Sequence, residues 1–255
     1  LYVVNSLLAP LFEKQALAPL PLMSSDLPKR DWLSENRAAF PPRKIGRFWI
    51  YGSHIKKASP AGSLPLLVDA ALAFGSGTHP TTEGCLQALQ VIPGTPPRRV
   101  LDMGCGSAIL AIAAHQKWPA AMITAADNDP VAIRVTATNR RLNHIAPTTM
   151  HLAISHGFAS QHVRHSAPYD VIFANILALP LMRMAPDLCS HLTRRGWLIL
   201  SGILNKQAVV VRNAYQARKL RCWQQIRIGE WTTLVMRRAS AGSIPYLWSG
   251  ICQKS

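Results

Sequence analysis

The 255-residue chain carries 28 lysines and arginines against 12 acidic residues, a formal charge of +16, and 49% of its residues are apolar. That balance suits a globular protein with one domain of about 200 residues plus a smaller appendage, and it argues against wholesale disorder. No apolar run reaches the roughly 18 to 20 residues of a membrane-spanning helix; the stretch 3–22 is broken by Asn5, Glu13, Lys14, Gln15 and three prolines. Nothing basic precedes Leu7, so no secretory leader is expected and the chain reads as cytoplasmic.

Five scattered cysteines (Cys85, Cys105, Cys189, Cys222 and Cys252) form no C-x-x-C pair, which suggests neither a disulfide framework nor a zinc site. The loose group His144, His151, His156, His162 and His165 has no carboxylate or cysteine at ligand spacing. It reads as a polar, solvated segment, and no metal is expected. Basic residues come as dispersed pairs such as Arg98-Arg99 and Arg194-Arg195. They describe a generally basic surface that favours RNA-rich or acidic partners rather than one nucleic-acid groove.

The chain starts at Leu1 rather than a methionine. Residues 1–30 hold one plausible helix, Val4 to Leu17, and a proline-punctuated stretch ending at Pro28. Residues 31–63 read as a connector, with a strand-like Arg47–Tyr51 closed by Gly52. From about residue 98 strands and helices alternate. Val100–Met103 is a strand, Ile109–Lys117 a helix, Ala121–Ala126 a strand, and Pro130 opens a helix to about Leu142. Val171–Ala174 follows as a buried strand, then a helix Pro180–Leu192, a strand Trp197–Leu200 and a helix Asn205–Arg218. Cys222–Ile228 and Thr232–Met236 close the domain as paired strands, and the tail 239–255 shows no pattern and reads as poorly ordered. Repeated strand–helix units predict an α/β fold, a mostly parallel sheet with helices on both faces.

The segment Val100–Leu110 is the most informative. A strand ends in Asp102, a turn carries Gly104 and Gly106, and a helix follows. Glycines there allow a tight turn and close approach of a ligand at the carboxyl end of a strand. A dinucleotide fingerprint would need glycine where Ile109 stands, and the glycine-rich 75–82 lacks the lysine of a P-loop. Asp127 ends the next strand, 23 residues after Gly104, where a carboxylate can accept from ribose hydroxyls. Asp129, ahead of Pro130, reads as a helix cap. Taken singly, Asp102 and Asp127 are equally loop or cap residues; their combination points to a nucleotide-like ligand.

The D-x-G-x-G pattern of Asp102–Gly106 resembles motif I of the Rossmann-like methyltransferases, whose acidic residue and glycine loop surround the methionine part of S-adenosylmethionine. Three further segments resemble one family. Ala73–Thr82 (A-F-G-S-G-T-H-P-T-T), Ala174–Leu177 (A-N-I-L) and Leu200–Leu204 (L-S-G-I-L) are similar to signatures of the PrmA family, the ribosomal protein L11 methyltransferases. The resemblance spans roughly residues 31–238 and implies a class I fold with a mostly parallel seven-stranded sheet in residues 64–238. It makes residues 1–30 a remnant of an N-terminal substrate-recognition domain. It implies that Thr82, Gly104, Asp127 and Asn175 contact S-adenosylmethionine, and that Phe74, Gly75, Gly77 and Thr78 form a loop closing over cofactor and substrate amine.

The implied reaction is in-line transfer of methyl groups to lysine or N-terminal amines of ribosomal protein L11, with contact to ribosomal RNA kept in play by the charge. The Asn175 side chain and the Ile176 carbonyl are the expected acceptors for the amine. Alternatives with the same fold are methylation of ribosomal RNA or another protein, and a non-catalytic cofactor-binding protein. The chain departs from the family at Ala108, where motif I usually has glycine. Alanine would strain a positive φ but is harmless in a helix, and the helical conformation is expected.

Overall fold

A computed structural model describes residues 41–56, 58–69 and 79–238, all within the unit Arg37–Ser255. The expected helix Val4–Leu17, the stretch to Pro28 and the tail 239–255 lie outside these residues. The first elements are the short strands β1 (Arg43–Ile45), β2 (Phe48–Tyr51) and β3 (Leu64–Leu67). β2 pairs antiparallel with β1 and parallel with β3. This small sheet buries Phe48 and Leu66 completely.

The remaining elements follow as α1 (Pro80–Val91), β4 (Arg99–Met103), α2 (Ile109–Lys117), β5 (Met122–Asp127), α3 (Pro130–Leu142), β6 (Met150–Ile154) and α4 (Gln161–His165). Then come β7 (Tyr169–Asn175), α5 (Ala178–Arg183), α6 (Ala185–Ser190), β8 (Leu192–Leu204), α7 (Ala208–Gln216), β9 (Leu220–Ile228) and β10 (Trp231–Arg238). The seven-stranded sheet has the order β6-β5-β4-β7-β8-β10-β9. It is parallel from β6 to β8, and β10 runs antiparallel to both its neighbours. The expected α/β architecture with a mostly parallel sheet is what the chain adopts.

β4 and β7 sit in the middle because they are apolar on both faces. Val100 and Phe173 face one core with α1 and α2; Leu101 and Ile172 face the other with α5, α6 and α7. Each such side chain, taken fully from water, contributes about 1.5–3 kcal/mol. Asn139 of α3 and Asn143 at its C-cap tie the small sheet to this framework. Asn143 pairs with both the N–H and the carbonyl of Leu67, at 3.1 and 2.7 Å, and Asn139 Oδ1 accepts from the Asp69 N–H.

Two expectations need correction. The single helix Pro180–Leu192 is two helices that meet at Met184. Pro186 has no N–H to continue the ladder, and the chain turns there. The histidine-rich stretch, with His144, His156, His162 and His165 exposed, supplies two elements to which the sequence reading gave no bounds, β6 and α4, which bury Met150 and Val163 completely. β6 is an edge strand paired only with β5, and His151 interrupts its short apolar run, so the strand signal is thin. The strand Trp197–Leu200 extends to thirteen residues, because β8 serves β7 on one side and β10 on the other, with a register shift between Tyr169 and Val171.

Candidate functional site

β4 pairs with β5 on one side and β7 on the other, so their carboxyl ends lie side by side. That arrangement brings Asp102, the Gly104–Gly106 turn, Asp127 and Asn175 to one end of the sheet. Open α/β sheets bind ligands at this end.

The turn after β4 is held from both sides. The N–H groups of Gly104 and Cys105 donate to the Ala126 carbonyl at 2.8 and 3.1 Å. Thr136 Oγ1 donates to the Gly106 carbonyl and Asn139 Nδ2 to that of Ser107, both at 2.9 Å. Gly104 has φ +71°, and a Cβ there would come within 2.4 Å of Ile176 Cγ2, so any larger residue is excluded twice over. Ala108, at φ 63° and ψ 25°, is left-handed at the N-cap of α2 and not helical. The expectation of a harmless helical alanine is therefore wrong. The loop must reverse direction before α2 begins, and that demand falls on Ala108, where an L-residue costs roughly 1–2 kcal/mol.

The two carboxylates differ in setting. Asp127 Oδ2 accepts from the Gly106 N–H at 2.9 Å and Oδ1 from the Asp129 N–H at 3.0 Å. These bonds orient a part-buried group and leave lone pairs for a ligand. Asp129 itself caps α3 through Val131 N–H at 2.7 Å, the role its position suggests. Asp102 is 1% exposed and accepts from the Ala111 N–H at 3.0 Å. Burial pushes its carboxyl up to about 7, the charge of Asp127 adds to the rise, and the Ala111 N–H opposes it. Burial likewise raises the Cys85 and Cys105 thiols, so neither offers a thiolate.

Asn175 ends β7 half-buried, opposite Ser201 of β8. Its amide has no hydrogen-bond partner among the described residues, which leaves it available to a ligand. Thr82 is buried in the first turn of α1. That turn starts at His79, whose side chain caps the Thr81 N–H. Ser201 pins it to the sheet by donating to the Thr81 carbonyl at 3.1 Å, and it also meets Thr233 at 2.8 Å. Phe74, Gly75, Gly77 and Thr78 lie outside the described residues.

Two functional positions carry no role in the sequence reading, although both lie in the L-S-G-I-L segment. Ser201 anchors α1, as above. Gly202, at φ +81°, packs so tightly that a Cβ would sit 2.3 Å from the Ile176 carbonyl oxygen. It fixes where the backbone after Asn175 runs. Among the described residues no three His, Cys, Asp or Glu side chains converge as a metal site, and no helix is long and apolar enough to cross a membrane.

Comparison with known proteins agrees with this geometry. Residues 7–239 match the family model described as ribosomal protein L11 methyltransferase (PrmA). A relative from Mesorhizobium japonicum named ribosomal protein L11 methyltransferase is 38% identical over 218 residues, 85% of this chain and 74% of that protein. One of the same name from Rhizobium meliloti is 40% identical over 236 residues, 92% of this chain and 80% of that protein. The crystal structure of a ribosomal protein L11 methylase from Lactobacillus delbrueckii subsp. bulgaricus superposes with a TM-score of 0.70 at 28% identity, covering 78% of this chain and all of that one.

Proposed function

The chain belongs to the ribosomal protein L11 methyltransferase family, and from that premise we propose that it transfers methyl groups from S-adenosylmethionine to lysine or N-terminal amines of ribosomal protein L11 in the cytoplasm. The observation that carries this reading is the pairing of two strand ends. An Asp127 carboxylate oriented by two backbone N–H groups stands beyond the glycine turn, on the other side of β4 from the unpartnered Asn175 amide.

S-adenosylmethionine, when bound, supplies a methyl group already activated on its sulfonium sulfur. The residues present fit such a ligand. The Gly104 turn offers backbone where a side chain would clash, and Asp127 keeps lone pairs for the ribose hydroxyls. The Asn175 side-chain oxygen and the Ile176 carbonyl would accept N–H bonds from an incoming amine and aim its lone pair. Alignment of this kind supplies several kcal/mol of the barrier. The amine must arrive neutral; a free lysine has a pKa near 10.4, and desolvation at a half-buried site lowers it.

The test is mass spectrometry of purified L11 after incubation with the protein and methyl-labelled cofactor. Label on L11 lysine or N-terminal amines is the expected result. Cofactor binding with no label on L11, or label on ribosomal RNA alone, would overturn the substrate assignment.

A further inference from the structure

The end of the sheet opposite the strand carboxyl ends carries features that methyl transfer does not use. The loop between α1 and β4, the end of α2 and the bulged start of β8 enclose a groove of about 390 Å³ lined by Trp118, Trp197, Arg98, Arg195 and Arg237. Asp170 is the one carboxylate in its lining, and it is engaged by the backbone N–H groups of Arg98 and Arg99 at 2.8 and 3.1 Å. Arg98 and Arg195 are exposed, with no side-chain ion pair or hydrogen bond among the described residues. The Arg237 guanidinium lies 4.6 Å from the centre of the Trp197 ring. Trp223 meets Trp197 edge-on, 5.4 Å between centres and 86° between planes, and is itself 56% exposed.

We infer that this groove is a second binding site, for single-stranded RNA. Three guanidiniums around one engaged carboxylate attract a polyanion, in keeping with the charge of +16. An exposed indole beside them offers a flat apolar platform, which a phosphate or carboxylate alone does not need. Nucleotides combine phosphate charge with a flat ring, and aromatic stacking with basic side chains is how proteins hold unpaired strands. Duplex RNA keeps its bases stacked on one another and leaves no ring for Trp223.

The test is fluorescence anisotropy of a short labelled single-stranded RNA over a salt series, with polyglutamate as a second polyanion. Replacing Arg98, Arg195 and Arg237 together by glutamine should reduce the slope of log affinity against log salt by about 2, since each phosphate contact contributes about 0.7. Trp223→Ala should weaken RNA binding about tenfold and leave polyglutamate binding unchanged. In the wild-type protein, RNA carrying a photoreactive uridine should crosslink to the peptides containing Trp223 or Arg195. Crosslinks elsewhere, an unchanged salt slope, or a Trp223→Ala variant that binds RNA normally or loses RNA and polyglutamate alike would each overturn the assignment. The last outcome would mark a surface for acidic peptides.

Discussion

The ends of β4 and β5 each carry an aspartate, and the two are used in different ways. Asp127 keeps contact with solvent and takes two backbone N–H bonds; Asp102 is enclosed and takes one side-chain bond from the Ala111 N–H. A carboxylate with two oriented donors and spare lone pairs is ready for a ligand. One buried with a single donor holds the first turn of α2 in place at a cost to stability, because the charged form is poorly solvated. Two aspartates near the ends of adjacent strands thus differ in setting: Asp127 is the one placed to meet the proposed ligand, and Asp102 braces the helix that follows the glycine turn.

Asp127→Ala should give the largest effect. Losing charge-assisted bonds to ribose hydroxyls should weaken cofactor binding by about 1.5–3 kcal/mol. Calorimetry that finds unchanged affinity would remove the distinction between the two aspartates.

Asp102→Asn should raise stability. Its carboxyl is raised to about 7 in the folded chain from the ordinary aspartate value of 3.8. The folded state therefore holds the proton over a range where the unfolded state has lost it, and stability falls as pH rises between those values. An asparagine can still accept from Ala111 without a buried charge. The variant should be more stable than wild type by about 1–2 kcal/mol at pH 8, and the gain should shrink as pH falls through 7 towards 4. Denaturant melts at a series of pH values measure this, and a gain independent of pH would contradict the buried-charge account.

The smallest effect belongs to Ala108. Glycine relieves the left-handed strain but adds freedom to the unfolded chain, so Ala108→Gly should stabilise by about 0.5–1 kcal/mol. A loss of stability would mean that the backbone there is at ease with alanine.

How much of this was legible beforehand follows from the same physics. α2 and α3 are bounded in the structure as the residues suggest, at Ile109–Lys117 and Pro130–Leu142, because a glycine turn and an Asp-Pro cap mark their starts. Asp127 and Asn175 were legible as strand ends beside glycines or a motif. β6 was not, since an edge strand with His151 in it lacks the apolar run that announces a buried one. The φ of Ala108 was hidden because alanine gives no sign of a left-handed site; only the glycine expected by the family hinted at it. Ser201 and Gly202 act through residues more than twenty positions away in sequence, Thr81 and Ile176, so their roles became visible only in three dimensions.

The central claim is that the ends of β4, β5 and β7 form one site that aligns an amine with a bound cofactor. Steady-state methylation of L11 by Asn175→Ala, alongside calorimetry of cofactor binding, tests it most directly. If the amide orients the amine in the transition state, kcat should fall by at least about tenfold more than cofactor affinity does. A proportional fall in both would make Asn175 a cofactor ligand only, and the end of β7 would have no part in aligning the amine.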